Sequence, residues 1–226
     1  MKMPFESLRG NEYPGRGILI GKTENGENFA AYFIMGRSAH SRNRVFVYED
    51  GMLFTRPIDE RKVADPSLIL YPAIKRAGNW LIVTNGDQTQ TICDALATGQ
   101  GLPEALAVRS FEPDAPHFTP RISALLSPAG DHQMSILRKV GDGCVRSYYS
   151  YRARSGVGHL LHTYKHNGDP LPPFEGAPVP VHLKGSAEEL AHGLWDALNA
   201  DNKIALFVLC GDGRHFLFNK YRKDGE

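Results

Sequence analysis

The sequence predicts an α+β fold in which two antiparallel sheets pack together and helices cover the outside. Three observations predict it. Short apolar alternations with a period of two fill the first third of the chain and return after residue 120. Asn25-Gly26 and Asp50-Gly51, which tolerate positive φ, separate successive alternations as tight hairpin turns do. The helical stretches fall between blocks of strands, without the regular βαβ alternation of a parallel sheet.

In chain order, strands are expected within Arg16 to Thr23, Glu27 to Arg37, Asn43 to Glu49 and Met52 to Pro57. Asn79 to Thr84 forms a further strand ending at the turn Asn85-Gly86-Asp87. Helical spacing then runs over Thr91 to Thr98 and over Pro103 to Arg109, where Pro103 suits a first helical turn. RISALLS from Arg121, HQMSILRKV and CVRSYYSYRA restore the strand pattern across Ala129-Gly130 and Gly141-Asp142-Gly143. Five prolines and two glycines between Asn167 and Pro180 exclude regular structure there and predict a surface loop or insertion. Ser186 and Glu189 have capping-box spacing and open a helix through Leu190, Leu194 and Leu198. IALFVLC and HFLFNKY close the chain as a hairpin around Gly211-Asp212-Gly213. No internal repeat appears, and residues 1–226 read as one domain.

Of the 226 residues, 42% are hydrophobic and 23% charged, enough for a sizeable core. Lys plus Arg number 26 against 25 for Asp plus Glu, so a net charge of +1 gives no bulk drive toward nucleic acid or an anionic membrane. The three cysteines are widely spaced, encode neither a disulfide framework nor a zinc ribbon, and suit a reducing cytoplasm. No stretch approaches the roughly 18 apolar residues of a membrane span. The N-terminus exposes no Cys, Ser or Thr on removal of Met1, which counts against an N-terminal nucleophile.

Several motifs fail on their own geometry. Gly21-Lys22-Thr23 ends like a phosphate loop, but Gly15 is spaced wrongly and the intervening residues are strand-like. His159, His162 and His166 suggest a metal until the strand period sends His159 and His162 to opposite faces, so no metal is expected. Tyr148, Tyr149 and Tyr151 beside Arg146, Arg152 and Arg154 fit a half-buried strand better than a base-stacking surface.

Two segments carry chemistry. Gly36 to Arg44 (GRSAHSRNR) gathers three arginines, two serines and an asparagine between strands, and arginine forks match phosphate oxygens. A solvated hairpin tip is the plain alternative. Asn85 to Thr91 (NGDQTQT) places amides, hydroxyls and a carboxylate before a helix, suited to a ligand's heterocycle or sugar, or to ordinary capping.

The order of these elements is more specific than any one of them. YPGRGILIG at Tyr13 to Gly21, FAAYFIMGRSAHSRNR at Phe29 to Arg44, VTNGDQTQTI at Val83 to Ile92 and FTPRISALL at Phe118 to Leu126 together resemble the archaeal-type IMP cyclohydrolase family. The resemblance implies a four-layered α/β/β/α fold like that of the N-terminal-nucleophile hydrolases. It also implies dehydrative closure of formamidoimidazole-carboxamide ribotide (FAICAR) to IMP, with a purine ribotide as partner and no metal or redox cofactor. On it, Arg37, Tyr71 and Glu112 are the expected catalytic residues, with Asp114 a rival to Glu112 and a core role the alternative for Tyr71. Arg44, Ser38, Asn43, Asn85, Asp87 and Arg121 are the expected substrate contacts. The stretch Tyr148 to Pro180 looks extended against the archaeal pattern, which leaves a non-catalytic ribotide binder as the competing reading. An amide hydrolase would need an internal nucleophile, and Cys93, inside a helix, reads as core. Apolar strand edges permit a homo-oligomer.

Overall fold

A computed structural model describes residues 5–62 and 71–221. Among the described residues thirteen strands form two antiparallel sheets, accompanied by four α-helices. The first sheet has six strands: β1 (Arg16–Lys22), β2 (Asn28–Met35), β10 (Val157–His162), β11 (Val179–His182), β12 (Lys203–Cys210) and β13 (His215–Asn219). Their spatial order is β11-β10-β1-β2-β12-β13. The second is a seven-stranded meander in chain order: β3 (Val45–Glu49), β4 (Met52–Arg56), β5 (Pro72–Ala77), β6 (Trp80–Thr84), β7 (Arg121–Leu126), β8 (His132–Val140) and β9 (Gly143–Tyr151).

Strand alternation divides the apolar residues into layers. Ile18, Ile20, Tyr32, Ile34 and Phe207 of the first sheet meet Phe46, Leu53, Val83, Ile122 and Ile136 of the second in the central core. Their neighbours Leu19, Phe33, Leu206 and Val208 point the other way, where Leu190, Ala191 and Leu194 of α4 (Ala187–Ala197) cover them with Leu8 of α1 (Glu6–Arg9). On the second sheet, Ile82, Leu125 and Leu137 pack under α2 (Gln88–Ala97) and α3 (Leu102–Leu106). Strands buried on both faces are continuously apolar, which is why RGILIG and KIALFVLC show little polar alternation.

The hairpin turns and the capping box stand where the sequence places them, and two central helices form with shifted ends; Ser186 Oγ accepts from Glu189 N at 3.2 Å and Ser186 N donates to Glu189 Oε2 at 2.8 Å. Four expectations are corrected. α2 begins at Gln88, three residues before Thr91, because Gln88 and Thr89 are buried with their polar atoms bonded inside. β11 starts within the proline-rich segment; it is an edge strand, where the N–H that Pro180 lacks need not join a ladder. β5, with Pro72 at its first position and Lys75 and Arg76 within it, has no apolar alternation to announce it. The Gly36 to Arg44 segment is not a hairpin tip, since β2 and β3 belong to different sheets and it crosses between them. The Met1 to Pro4 terminus and the PSLIL part of the Pro66 to Lys75 segment lie outside the described residues. Among the described residues no helix is long and apolar enough to cross a membrane.

Three histidines join core layers. His132 Nε2 and His159 Nδ1 meet at 3.0 Å between the two sheets, with Tyr151 stacked on His159. His162, on the opposite face of β10, donates its Nδ1–H to the Tyr164 carbonyl at 2.8 Å and packs edge-on against Phe174. Burial lowers all three, His159 and His162 to about 4, with His132 also disfavouring charge on His159. Between about pH 6.5 and 4 the unfolded chain therefore binds protons that the folded chain refuses, and stability falls with falling pH. For fully buried His162 this is on the order of 3 kcal/mol. Urea denaturation at pH 7 and 4.5 should show a shallower acid loss in His162→Gln than in the wild type; equal acid losses would contradict this origin.

Candidate active site

At the end of the sandwich where the chain crosses from β2 to β3, a cleft of about 700 Å³ opens. Its walls come from the start of β1 (Tyr13, Gly15, Arg16), the crossing loop (Arg37, Ser38, His40, Ser41, Arg44), the segment before β7 (Glu112, Asp114, His117, Thr119) and the segment after β10 (Tyr164, Asp169, Leu171). The crossing loop folds tightly on Gly36, where an added Cβ would lie 2.6 Å from Ser41 Oγ and 2.9 Å from the Ser41 backbone. Gly15, at φ 80°, is equally constrained, because a Cβ there would stand 2.3 Å from Thr163 Oγ1 and 2.5 Å from the Tyr164 ring.

An ion pair lies at the floor. Arg16 Nη1 donates to Glu112 Oε1 at 2.5 Å and to the Asn85 carbonyl at 3.2 Å, and Glu112 is only 2% exposed. Burial pushes the Glu112 carboxyl above its ordinary range, with Asp114 adding to the shift and Arg16 and Arg121 opposing it. Burial disfavours the charge on Arg16, but Glu112 together with Tyr71, Tyr32 and Tyr164 outweighs it and holds the guanidinium firmly protonated.

Arg44 shares this environment without sharing the pair. It is 9% exposed, its Nε is buried without a hydrogen-bond partner, and it has no ion pair among the described residues. Burial and the neighbouring Arg16 charge both lower its pKa. Two buried guanidinium groups thus face one buried carboxylate. A guanidinium out of water is costly unless paired, so this wall carries positive charge that the protein itself does not balance.

Around that centre runs a second set of contacts. Thr119 donates its N–H to Asp114 Oδ1 at 2.7 Å and its hydroxyl to Asp114 Oδ2, and Thr119 Oγ1 lies 2.6 Å from the Tyr164 hydroxyl. The Tyr164 ring stacks on Tyr13, and burial raises the Tyr164 phenol. The Arg37 guanidinium lies over the Tyr13 ring, 5.0 Å from its centroid.

The structure brings together only part of the expected set. Arg37, Ser38, Arg44 and Glu112 line the cleft, as does Asp114. Arg37 is engaged from the far side, donating Nη1 to Asn167 Oδ1 at 2.7 Å and to the Gly168 carbonyl at 2.9 Å. Tyr71 is in the central core, its hydroxyl 3.0 Å from that of Tyr32. Asn85 is fully buried with both amide atoms engaged by the protein: Nδ2 donates to the Pro120 carbonyl, while Oδ1 accepts from Ile122 N and Gln88 Nε2. It holds Arg16 from behind through its backbone carbonyl. Arg121 is also behind the cleft, bonded to Gln88 Oε1 at 2.9 Å and to Asp87 Oδ1 at 2.5 Å. Asp87 is further paired with Arg109. Asn43 is taken up by the Asp59 backbone in both directions, at 2.7 and 2.8 Å. None of Tyr71, Asn85, Asp87, Arg121 and Asn43 lines the cleft.

Sequence reasoning missed Arg16, Tyr13, Thr119, Tyr164 and Asp169 as cleft residues. Arg16 left a signal, since a charge opening a strand whose next five residues are all Gly, Ile or Leu must find a partner inside. Tyr164 and Asp169 left none, because they lie far along the chain from the motifs and reach the site through β10 pairing with β1.

Comparison with known proteins adds an independent finding. The family described as IMP cyclohydrolase-like protein matches residues 13–215. A Methanopyrus kandleri protein named IMP cyclohydrolase is 33% identical over 155 residues, covering 67% of this chain and 75% of its own length. One of the same name from Methanococcus aeolicus is 29% identical over 157 residues, covering 68% and 74%. Another from Methanocaldococcus jannaschii is 34% identical over 116 residues, covering 50% and 56%.

Proposed function

Because this chain belongs to the IMP cyclohydrolase-like protein family, we propose that its cleft closes the pyrimidine ring of a purine ribotide, converting FAICAR to IMP with loss of water. The observation that carries this assignment to the cleft is the bare, buried Arg44 guanidinium beside the Arg16–Glu112 ion pair. In the reaction the carboxamide nitrogen attacks the formyl carbon of the same molecule. A C–N bond forms, and the carbonyl electron pair moves onto the formyl oxygen. The carboxamide nitrogen gives up one proton and the formamide nitrogen another, and both depart with that oxygen as water. The task of the protein is to hold one reactive conformer, stabilise charge on the oxygen and move protons.

Glu112 takes the first proton and returns it to the departing oxygen; its raised pKa brings its carboxyl closer to neutrality in both directions. Arg44, beside Glu112, neutralises the charge that develops on the formyl oxygen. Arg37, Ser38, His40 and Ser41 of the crossing loop hold the 5′-phosphate. This exchanges the roles first expected of Arg37 and Arg44. Arg44 is the buried guanidinium next to the proton-transfer group, whereas Arg37 is half-buried and already bonded to the segment after β10. Tyr71, Asn85 and Arg121 act as positioning residues behind the floor. We read the whole chain as one domain, and the layering of α4 and α1, two sheets, and α2 with α3 as the four-layered arrangement of the N-terminal-nucleophile hydrolases.

The test is ultraviolet absorbance of the protein incubated with FAICAR, because closure to the hypoxanthine ring changes the chromophore. IMP appearing above the uncatalysed rate is the expected result. Binding of FAICAR with no IMP formed would replace the enzyme with a ribotide binder.

A further inference from the structure

The segment after β10 forms a strap along one wall of the cleft, to which it gives Tyr164, Asp169 and Leu171. It is closed on itself by Lys165 N donating to the Pro172 carbonyl at 2.9 Å, and the adjacent Tyr164 bridges Pro173. Four further hydrogen bonds fasten it. Arg37 Nη1 binds Asn167 and Gly168, Asn167 Nδ2 donates to Glu12 Oε2 at 2.9 Å, and Asn11 Nδ2 donates to the Lys165 carbonyl at 3.0 Å. The next residue beyond this fastening is Asp169, which lines the cleft, is exposed, and has no hydrogen bond or ion pair among the described residues.

A carboxylate without a partner is an odd wall for a cleft whose other charges invite an anion. It repels phosphate and offers nothing to the ring-closing atoms, which have Glu112. An ionised carboxylate only accepts hydrogen bonds, through two oxygens held at a fixed spacing. The group on a ribotide that matches it is the pair of vicinal hydroxyls on the ribose, which are two neighbouring donors. The position agrees: the strap is bonded to Arg37, where the phosphate is placed, and the ribose is the part of the ligand next to the phosphate.

Building on the ribotide assignment, we propose that Asp169 is a specificity residue that accepts from the 2′- and 3′-hydroxyls and selects ribotides over deoxyribotides. A hydrogen bond from a neutral donor to a charged acceptor is lost with the 2′-hydroxyl, which corresponds to discrimination of about tenfold.

Calorimetric titration with IMP and with its 2′-deoxy analogue tests this in the wild type, Asp169→Ala and Asp169→Asn. Asp169 is exposed and unpaired, so both variants should keep the wild-type folding midpoint. The expected result is that the wild type binds IMP about tenfold more tightly, and that Asp169→Ala binds the two alike. Asp169→Asn, which keeps one acceptor, should fall between. Discrimination retained in full by Asp169→Ala, or absent from the wild type, would overturn the role of Asp169 while leaving the ribotide site standing. Failure of the wild type to bind either nucleotide would instead overturn the ribotide reading, and this inference with it.

Discussion

Arg44→Met is expected to lower turnover by about 10²- to 10³-fold, the usual consequence of removing one donor from a developing oxyanion, while leaving the folding midpoint unchanged or raised. The two halves of this result have one cause. Arg44 is buried with its Nε bare, and its charge lies beside that of Arg16, so the folded protein without ligand bears an uncompensated cation. Methionine keeps most of the stem's volume and removes the charge, which relieves a cost in the fold. The substrate, by contrast, loses the group that meets its oxygen. Measured kcat and urea midpoints check both halves. Near-normal turnover in the folded variant would remove Arg44 from the mechanism, and a large loss of stability would show that its guanidinium has a structural partner.

Glu112→Gln should be worse on both counts. Loss of a positioned proton-transfer group costs about 10²- to 10⁴-fold in rate. Removing one partner of a buried ion pair costs about 3–5 kcal/mol, here because Arg16 and Arg44 would be left together without a carboxylate. The double variant Arg16→Met with Glu112→Gln separates these effects, since stability should recover and turnover should not. The pH dependence of kcat in the wild type reads the same group. Proton acceptance requires the carboxylate, so the rate should fall as pH drops through a pKa raised above the ordinary carboxyl value by burial. An acid limb at or below the ordinary value of 4.5 would contradict that environment.

The strands and helices that bury a face were legible because burial imposes a period. The Ser186 to Leu198 helix and the hairpins at Asn25-Gly26 and Asp50-Gly51 follow directly from capping and turn chemistry. β5 and β11 were not legible, since prolines and charges interrupt their pattern and pairing alone makes them strands. The site divides in the same way. Arg37, Ser38 and Arg44 were found in one short motif whose residue types state their chemistry, whereas Glu112 came only from the family resemblance, with Asp114 as its rival. Asn85, Arg121 and Asn43 looked the same in sequence, yet their polar atoms are spent on the protein itself, a fact held in partners more than 15 residues away. Arg16 could have been found by asking what balances a charge in an apolar strand. Asp169 could not, because nothing near it in sequence tells that a strap folds back to the start of β1.

The central claim is that ring closure takes place between the crossing loop and the strap, on the Arg44 and Glu112 floor. A crystal structure of the protein with bound IMP tests it most directly. The account predicts the phosphate on Arg37 and Ser38, the ribose hydroxyls toward Asp169, and the C2 edge of the hypoxanthine, where the formyl oxygen departed, facing Glu112 and Arg44. A nucleotide bound elsewhere, or bound in the cleft with its phosphate on Arg44 and its base away from Glu112, would contradict it.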